Sequence, residues 1–105
     1  MAHSSENERR HEDAQAHIRA TVMNEICEVM HKTGLPPMVV MCLVAQAVGS
    51  IYRETADAHS GPSACGCGWR PHEGSDVDVL CSALLVACTR RQRRDLMTMQ
   101  IAGRA

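Results

Sequence analysis

The stretch that decides the fold runs from Pro37 to Ala58 and reads PMVVMCLVAQAVGSIYRETADA. Its valines are compatible with a strand over Met38–Ala45, but apolar residues continue to Tyr52 and helix-forming residues follow. Proline suits the first turn of a helix, because its missing amide hydrogen does no harm there. The stretch therefore predicts a helix over 37–58 that is buried on most sides in its first half. The pair Gly49-Ser50 marks a weak point or a close helix crossing.

A second helix is predicted on the N-terminal side of this stretch. Apolar residues recur there at spacings of three and four, namely Ile18, Val22, Ile26, Val29 and Met30. Charged residues lie between them, which is the pattern of an amphipathic helix over about 14–33. Gly34 ends it, after a lysine in the last turn. Residues 1–13 are highly charged with almost no apolar side chain, and we expect a disordered lead.

A third helix is predicted over about 75–102, with Ser75 as its N-cap and Asp78 at the third helical position. It continues or bends within a run of arginines. Its apolar residues form a first core stripe of Leu80, Leu84, Ala87 and Cys88 and a second of Leu96, Met97 and Ile101. The sequence thus predicts an all-α fold of three main helices in a single helical domain over 14–105, with a Cys/His/Gly-rich loop at 59–74.

Length and charge limit the classes of function. A chain of 105 residues fits one domain, and a net charge of −1 gives no global attraction for nucleic acid or an anionic membrane. The apolar runs are shorter than a bilayer requires, and the polar N-terminus does not resemble a signal peptide. We therefore expect a cytoplasmic protein, in a compartment that keeps its six cysteines reduced. Cys27, Cys42 and Cys88 fit buried, small apolar side chains.

The loop carries the residues best suited to chemistry. From Gly61 to Asp78 it reads GPSACGCGWRPHEGSDVD, and His59 and Cys81 flank its cysteines and His72. Thiolates and imidazoles within reach of one point suit zinc, and Gly66 and Gly68 allow tight turns around both sulfurs. Cys65 and Cys67 are the first ligands, and His59, His72 and Cys81 compete for the other two places. The alternative is a glycine-rich connection without metal, because C-x-C is a shorter spacing than the usual zinc knuckle.

The string CGCG over 65–68 resembles the C-terminal motif of the A-type iron-sulfur carrier proteins. That resemblance covers four of the 105 residues, and the family's all-β scaffold and more distant third cysteine are not matched. Its function is therefore not carried over. An iron-sulfur site of Cys65, Cys67, Cys81 and Cys88 is a separate hypothesis, although Cys88 falls on an apolar helix face.

The arginines Arg90, Arg91, Arg93 and Arg94 form the main charge run. A solvated helix end or an acidic protein partner explains them better than nucleic acid, since no aromatic residue nearby can stack bases. The chain also lacks a phosphate loop, a nucleophile elbow and an H-E-x-x-H motif, so we do not expect an enzyme.

Three functions remain. The first is a small regulatory protein that acts by protein–protein interaction, such as an antiactivator or adaptor that sequesters a transcription factor, and that forms a homodimer through its apolar second helix. The second is a metal-handling module, for zinc or iron-sulfur, in which Cys65 and Cys67 do the work. The third is a nucleic-acid-binding protein that uses Arg90 to Arg94.

Overall fold

The protein is all-α, as the sequence predicts. The computed structural model describes the backbone of residues 2–103 and the side chains of residues 5–89. Within these limits the chain forms three helices and no strand: α1 (Ala2–Thr33), α2 (Pro37–Ala58) and α3 (Glu73–Gly103). The bounds of α2 are those predicted, and the loop between α2 and α3 covers residues 59–72.

Helix α1 begins at Ala2, twelve residues before the predicted start, and so includes the segment expected to be a disordered lead. The reason is local, because this segment holds three glutamates and two arginines, which are good helix formers even without apolar partners. The helix ends as predicted. Gly34 adopts a left-handed φ of 71°, and its amide donates to the Met30 carbonyl at 2.8 Å. This is the single-bond αL cap that favours glycine after a C-terminus.

Helix α2 continues through Gly49 without a break. A Cβ atom added at Gly49 would meet nothing within 4 Å, so no described part of the chain packs closely against this position. The sequence raised two alternatives at this position, a close helix crossing and a weak point in the helix. The close crossing is wrong. The helix is continuous here and so gives no sign of a weak point.

Helix α3 begins at Glu73, two residues before the predicted cap at Ser75. His72 caps it instead, because its amide donates to the Asp76 carboxylate at 2.8 Å and its carbonyl accepts from the Asp76 amide at 2.8 Å. The Ser75 hydroxyl also donates to the His72 carbonyl, at 3.2 Å. The capping carboxylate is therefore that of Asp76, and the predicted role of Asp78 is wrong.

The chain divides into two compact units, Met1–Glu54 and Thr55–Ala105. In the first unit Val40 is buried, with 2% of its surface exposed, and half-buried side chains share one face of α1: Val22, Ile26, Val29 and Met30. The second unit holds the last turn of α2, the loop and α3. None of its described side chains is fully buried.

The predicted core is largely wrong. Cys27, Cys42 and Cys88 are exposed free thiols rather than buried apolar side chains. The first core stripe of α3 is exposed throughout, and the second lies outside the described side chains. Val40 is the one residue of the predicted buried half of α2 that is fully covered. Periodicity identified apolar faces correctly, but the described residues do not provide the second surface needed to cover them.

None of the described helices combines the length and the apolar character that a membrane crossing requires.

Candidate metal site

Three side chains of the second unit meet in the loop after α2. One ligand atom each of His59, Cys65 and Cys67 lies within 4.8 Å of the other two. His59 is half-buried, whereas both cysteines are exposed. Zinc–sulfur bonds of about 2.3 Å in a tetrahedral site place two sulfurs about 3.8 Å apart, so small rotations of exposed side chains would bring the atoms to ligand distances. This group can hold a metal ion.

Backbone hydrogen bonds bring Cys65 back to the end of α2. Gly61 has a left-handed φ of 79°, and the Ala64 amide donates to the Gly61 carbonyl at 3.2 Å. The Cys65 amide then donates to the Ala58 carbonyl at 3.0 Å. The carbonyls of a last helical turn lack partners within the helix, and this bond satisfies one of them. Cys65 is thus placed beside the residue that follows α2.

That residue is His59, and its imidazole is held in one orientation. Its Nδ1 lies 2.7 Å from the Thr55 carbonyl, and its ring meets that of Trp69 edge to face, with centroids 4.9 Å apart at 82°. A carbonyl oxygen has no proton, so Nδ1 must carry the shared hydrogen. In the neutral ring Nε2 then holds the free lone pair. Metal-binding histidines usually donate their other ring N–H in this way, which fixes the ring and makes it more basic.

Cys67 is held in a form that favours the thiolate. The backbone amide of Trp69 hydrogen bonds its sulfur and lowers the pKa of the thiol, and the side chains of Cys65 and His59 lower it further. Gly68, between the two residues, has a left-handed φ of 93°. A thiolate is the form of cysteine that binds metal. Conversely, the hydrogen bond to Thr55, and then Cys67, raise the pKa of His59.

The other predicted ligands do not join this group. His72 and Cys81 are absent from the donors that meet around Cys65 and Cys67, as judged on the side chains of residues 5–89. The backbone of His72 caps α3, and Cys81 is an exposed residue within that helix. Arg90, Arg91, Arg93 and Arg94 fall within α3, but their side chains lie outside the described part of the chain.

Two supporting residues were not predicted as part of the site. Thr55 takes part through its backbone carbonyl, which any residue four positions before His59 would also supply. Its residue type therefore gives no sequence signal of this role. Trp69 did give a signal. It is the one tryptophan of the chain and stands two residues after Cys67, in a loop with little other apolar material.

No family model, curated protein or solved structure matches the chain. The case for function therefore depends on the geometry above and on the apolar surface of the helices.

Proposed function

We propose that the protein works by binding other protein chains, as a small regulatory antiactivator or adaptor that sequesters a transcription factor would. The observation that supports this concerns the side chains of residues 5–89, among which Val40 is the single buried apolar residue and sixteen large apolar side chains stay exposed. They occur in both units and on all three helices: Ile18, Met23, Leu35, Met38, Val39, Met41, Leu43, Val48, Ile51, Trp69, Val77, Val79, Leu80, Leu84, Leu85 and Val86. Apolar surface on this scale marks interaction sites.

The first occupant we propose is a second copy of the chain. Full burial of one such side chain contributes about 1.5–3 kcal/mol, and these are already partly covered, so each adds about 1 kcal/mol on association. The loss of translational and rotational freedom costs about 4–15 kcal/mol. Contacts from one helical turn are therefore too few, whereas in a symmetric homodimer each copy buries the same set of apolar side chains and the gain doubles.

Sedimentation equilibrium tests this proposal. We expect a dimer for the wild type and a monomer for the double variant Leu84→Glu with Leu85→Glu, because both leucines are 65% exposed and charges there would be desolvated in an interface. Ser82→Glu, at an exposed polar position of the same helix, is the matched control and should remain dimeric. A wild-type monomer at high micromolar concentration would contradict self-association.

We further propose that zinc is the metal of the loop and that it holds Cys65 and Cys67 of the loop to His59 at the end of α2. Two thiolates and an imidazole form a donor set that zinc shares with few other available ions. The support is the pre-set geometry: Nδ1 of His59 is already bound to a carbonyl at 2.7 Å, and Cys67 already accepts an amide hydrogen. The six free thiols also fit a reducing compartment, so we place the protein in the cytoplasm.

Elemental analysis of protein purified without chelator under reducing conditions tests the zinc. We expect one zinc per chain in the wild type and none in Cys65→Ser or Cys67→Ser, since metal affinity is lost with a ligand. Cys27→Ser, an exposed cysteine of α1, is the control and should keep its zinc. Metal-free wild-type protein would overturn the zinc proposal and leave the protein-binding proposal standing.

A second candidate function is metal handling, and one observation favours it. The group offers three protein donors on an exposed loop, whereas a structural zinc site is closed by four protein ligands. An ion bound by three donors is therefore easier to exchange. The two functions differ in what the metal does, because a handling module gives its ion to an acceptor, whereas a structural zinc stays bound while a partner is captured. An iron-sulfur cluster, which the exposed thiols also suit chemically, would colour the protein brown.

A further inference from the structure

Three donors leave a four-coordinate ion one ligand short. His59, Cys65 and Cys67 meet within 4.8 Å, and no further histidine, cysteine or carboxylate joins them among the side chains of residues 5–89. Zinc with three protein ligands keeps its fourth position for an outside molecule. Both cysteines are exposed, so such a molecule can approach from solvent.

The charge around the site selects an anion. A divalent ion, two thiolates and a neutral imidazole sum to zero. Arg70 follows Trp69, whose ring contacts that of His59 with centroids 4.9 Å apart, and its guanidinium donates to the Trp69 carbonyl at 3.4 Å. Its positive charge also acts to lower the pKa of His59. The local charge is therefore positive once the metal is bound, and a fourth ligand with a negative charge is favoured over water.

We propose that the fourth position of this site takes an exogenous thiolate, which the guanidinium of Arg70 favours by its charge. This rests on the proposed zinc site. Among anions a thiolate best matches an ion already bound by two sulfurs. The thiol releases its proton to solvent and its sulfur donates a lone pair to the metal, so no electron is transferred. The thiolate comes either from a small molecule or from an exposed cysteine of a second copy, such as Cys27, Cys42, Cys81 or Cys88.

Cobalt substitution reads the ligand set directly, because thiolate-to-cobalt charge-transfer absorption increases with the number of bound sulfurs. The protein is loaded with one Co²⁺ per chain at low concentration and titrated with glutathione. We expect the absorption per cobalt to rise by about one half, as two thiolates become three around a tetrahedral ion. Arg70→Glu should need at least several-fold more glutathione for the same rise, whereas Arg70→Lys and Arg19→Glu, the same charge reversal within α1, should follow the wild type.

A concentration series without glutathione separates the two sources. If a second copy supplies the sulfur, the absorption rises with protein concentration in the wild type but not when Cys27, Cys42, Cys81 and Cys88 are all replaced by serine. That quadruple variant keeps the two site cysteines and should still respond to glutathione.

The outcomes are distinguishable. If cobalt binds but the absorption responds neither to glutathione nor to protein concentration, the thiolate proposal is overturned and the zinc site stands. The same holds if Cys81→Ser lowers the absorption of dilute protein without glutathione, since Cys81 of the same chain would then be the fourth ligand. If cobalt does not bind, both the zinc site and the thiolate proposal fall.

Discussion

Cys67 owes its thiolate character to backbone geometry. The amide that stabilises its sulfur belongs to Trp69, and the residue between them, Gly68, has a φ of 93° that L side chains rarely adopt. Gly66, on the other side of Cys67, has no such requirement, and a Cβ atom at either glycine would meet nothing within 4 Å. The two glycines that flank Cys67 therefore differ in conformation and not in packing.

We predict that Gly68→Ala slows the alkylation of Cys67 by iodoacetamide a few-fold in metal-free protein at neutral pH. Strain at a left-handed position costs about 1–2 kcal/mol and displaces the Trp69 amide, so the pKa of Cys67 moves back towards its ordinary value. Gly66→Ala is the control and should leave the rate unchanged. Peptide mass spectrometry measures the rate at Cys67 itself, and equal slowing in both variants would contradict this account.

The sequence predicted the ligands of the site in part. Cys65 and Cys67 were expected first and His59 as one of three competitors, and the structure brings these three together. The choice among competitors depends on where the chain turns, which the bond from the Cys65 amide to the Ala58 carbonyl decides. His72 gave no sequence signal of its capping role, because that role uses its backbone and not its imidazole.

At the scale of elements, two glycines play different structural roles, one at the end of a helix and one in the interior of a helix. Gly34 ends α1 with a φ of 71°, whereas Gly49 lies inside α2 with helical geometry, and neither position is crowded. The same substitution should therefore act in opposite directions at the two sites.

We predict that Gly34→Ala lowers the free energy of unfolding by about 1–2 kcal/mol, because alanine is strained in the left-handed conformation. Gly49→Ala should raise it by about 0.5–1 kcal/mol, because alanine loses less backbone entropy in a helix. Urea denaturation followed by circular dichroism measures both changes. A loss of stability at Gly49 would indicate a close neighbour at that position.

Element prediction succeeded where the signal was local and strong. Helix α2 has its predicted bounds because proline at one end and a Gly-Pro pair at the other leave little choice. Helices α1 and α3 begin earlier than predicted, α1 by twelve residues and α3 by two, for different reasons. Helix α1 extends into a segment without apolar periodicity because the helix propensity of its residues is high. Helix α3 begins earlier because the Asp76 carboxylate accepts from the His72 amide, so that His72 takes the cap position predicted for Ser75.

At the scale of the whole molecule, the sequence could not show what covers the apolar faces. Leu84 was expected in the core and is 65% exposed, while Val40, one of several similar residues in α2, is 2% exposed. Periodicity indicates which side chains share a face, but burial depends on a second surface from elsewhere in the chain or from another chain. That second surface is what the self-association experiment looks for.

The arginine run supports a prediction at this scale, since it concerns the charge of the whole chain. We predict no measurable binding of the wild type to a random DNA duplex at physiological salt, by fluorescence anisotropy. The net charge of −1 gives no overall attraction, and like-charged arginines in α3 are better matched by an acidic protein.

The variant Arg91→Glu with Arg94→Glu is the control and should give the same baseline with DNA. Tight binding of the wild type that weakens steeply with salt, and is lost in this variant, would instead favour the nucleic-acid function.

The residues of the site are close together in the sequence, which affects when the site can form during folding. His59, Cys65 and Cys67, together with Thr55 and Trp69, lie within fifteen consecutive residues. A segment this short closes on itself in about 10–100 ns, far faster than distant helices pair. The donors can therefore meet, and take an ion, as soon as the segment leaves the ribosome and before α3 has emerged from it. Metal capture would then be an early step that fixes the end of α2 for everything that folds after it.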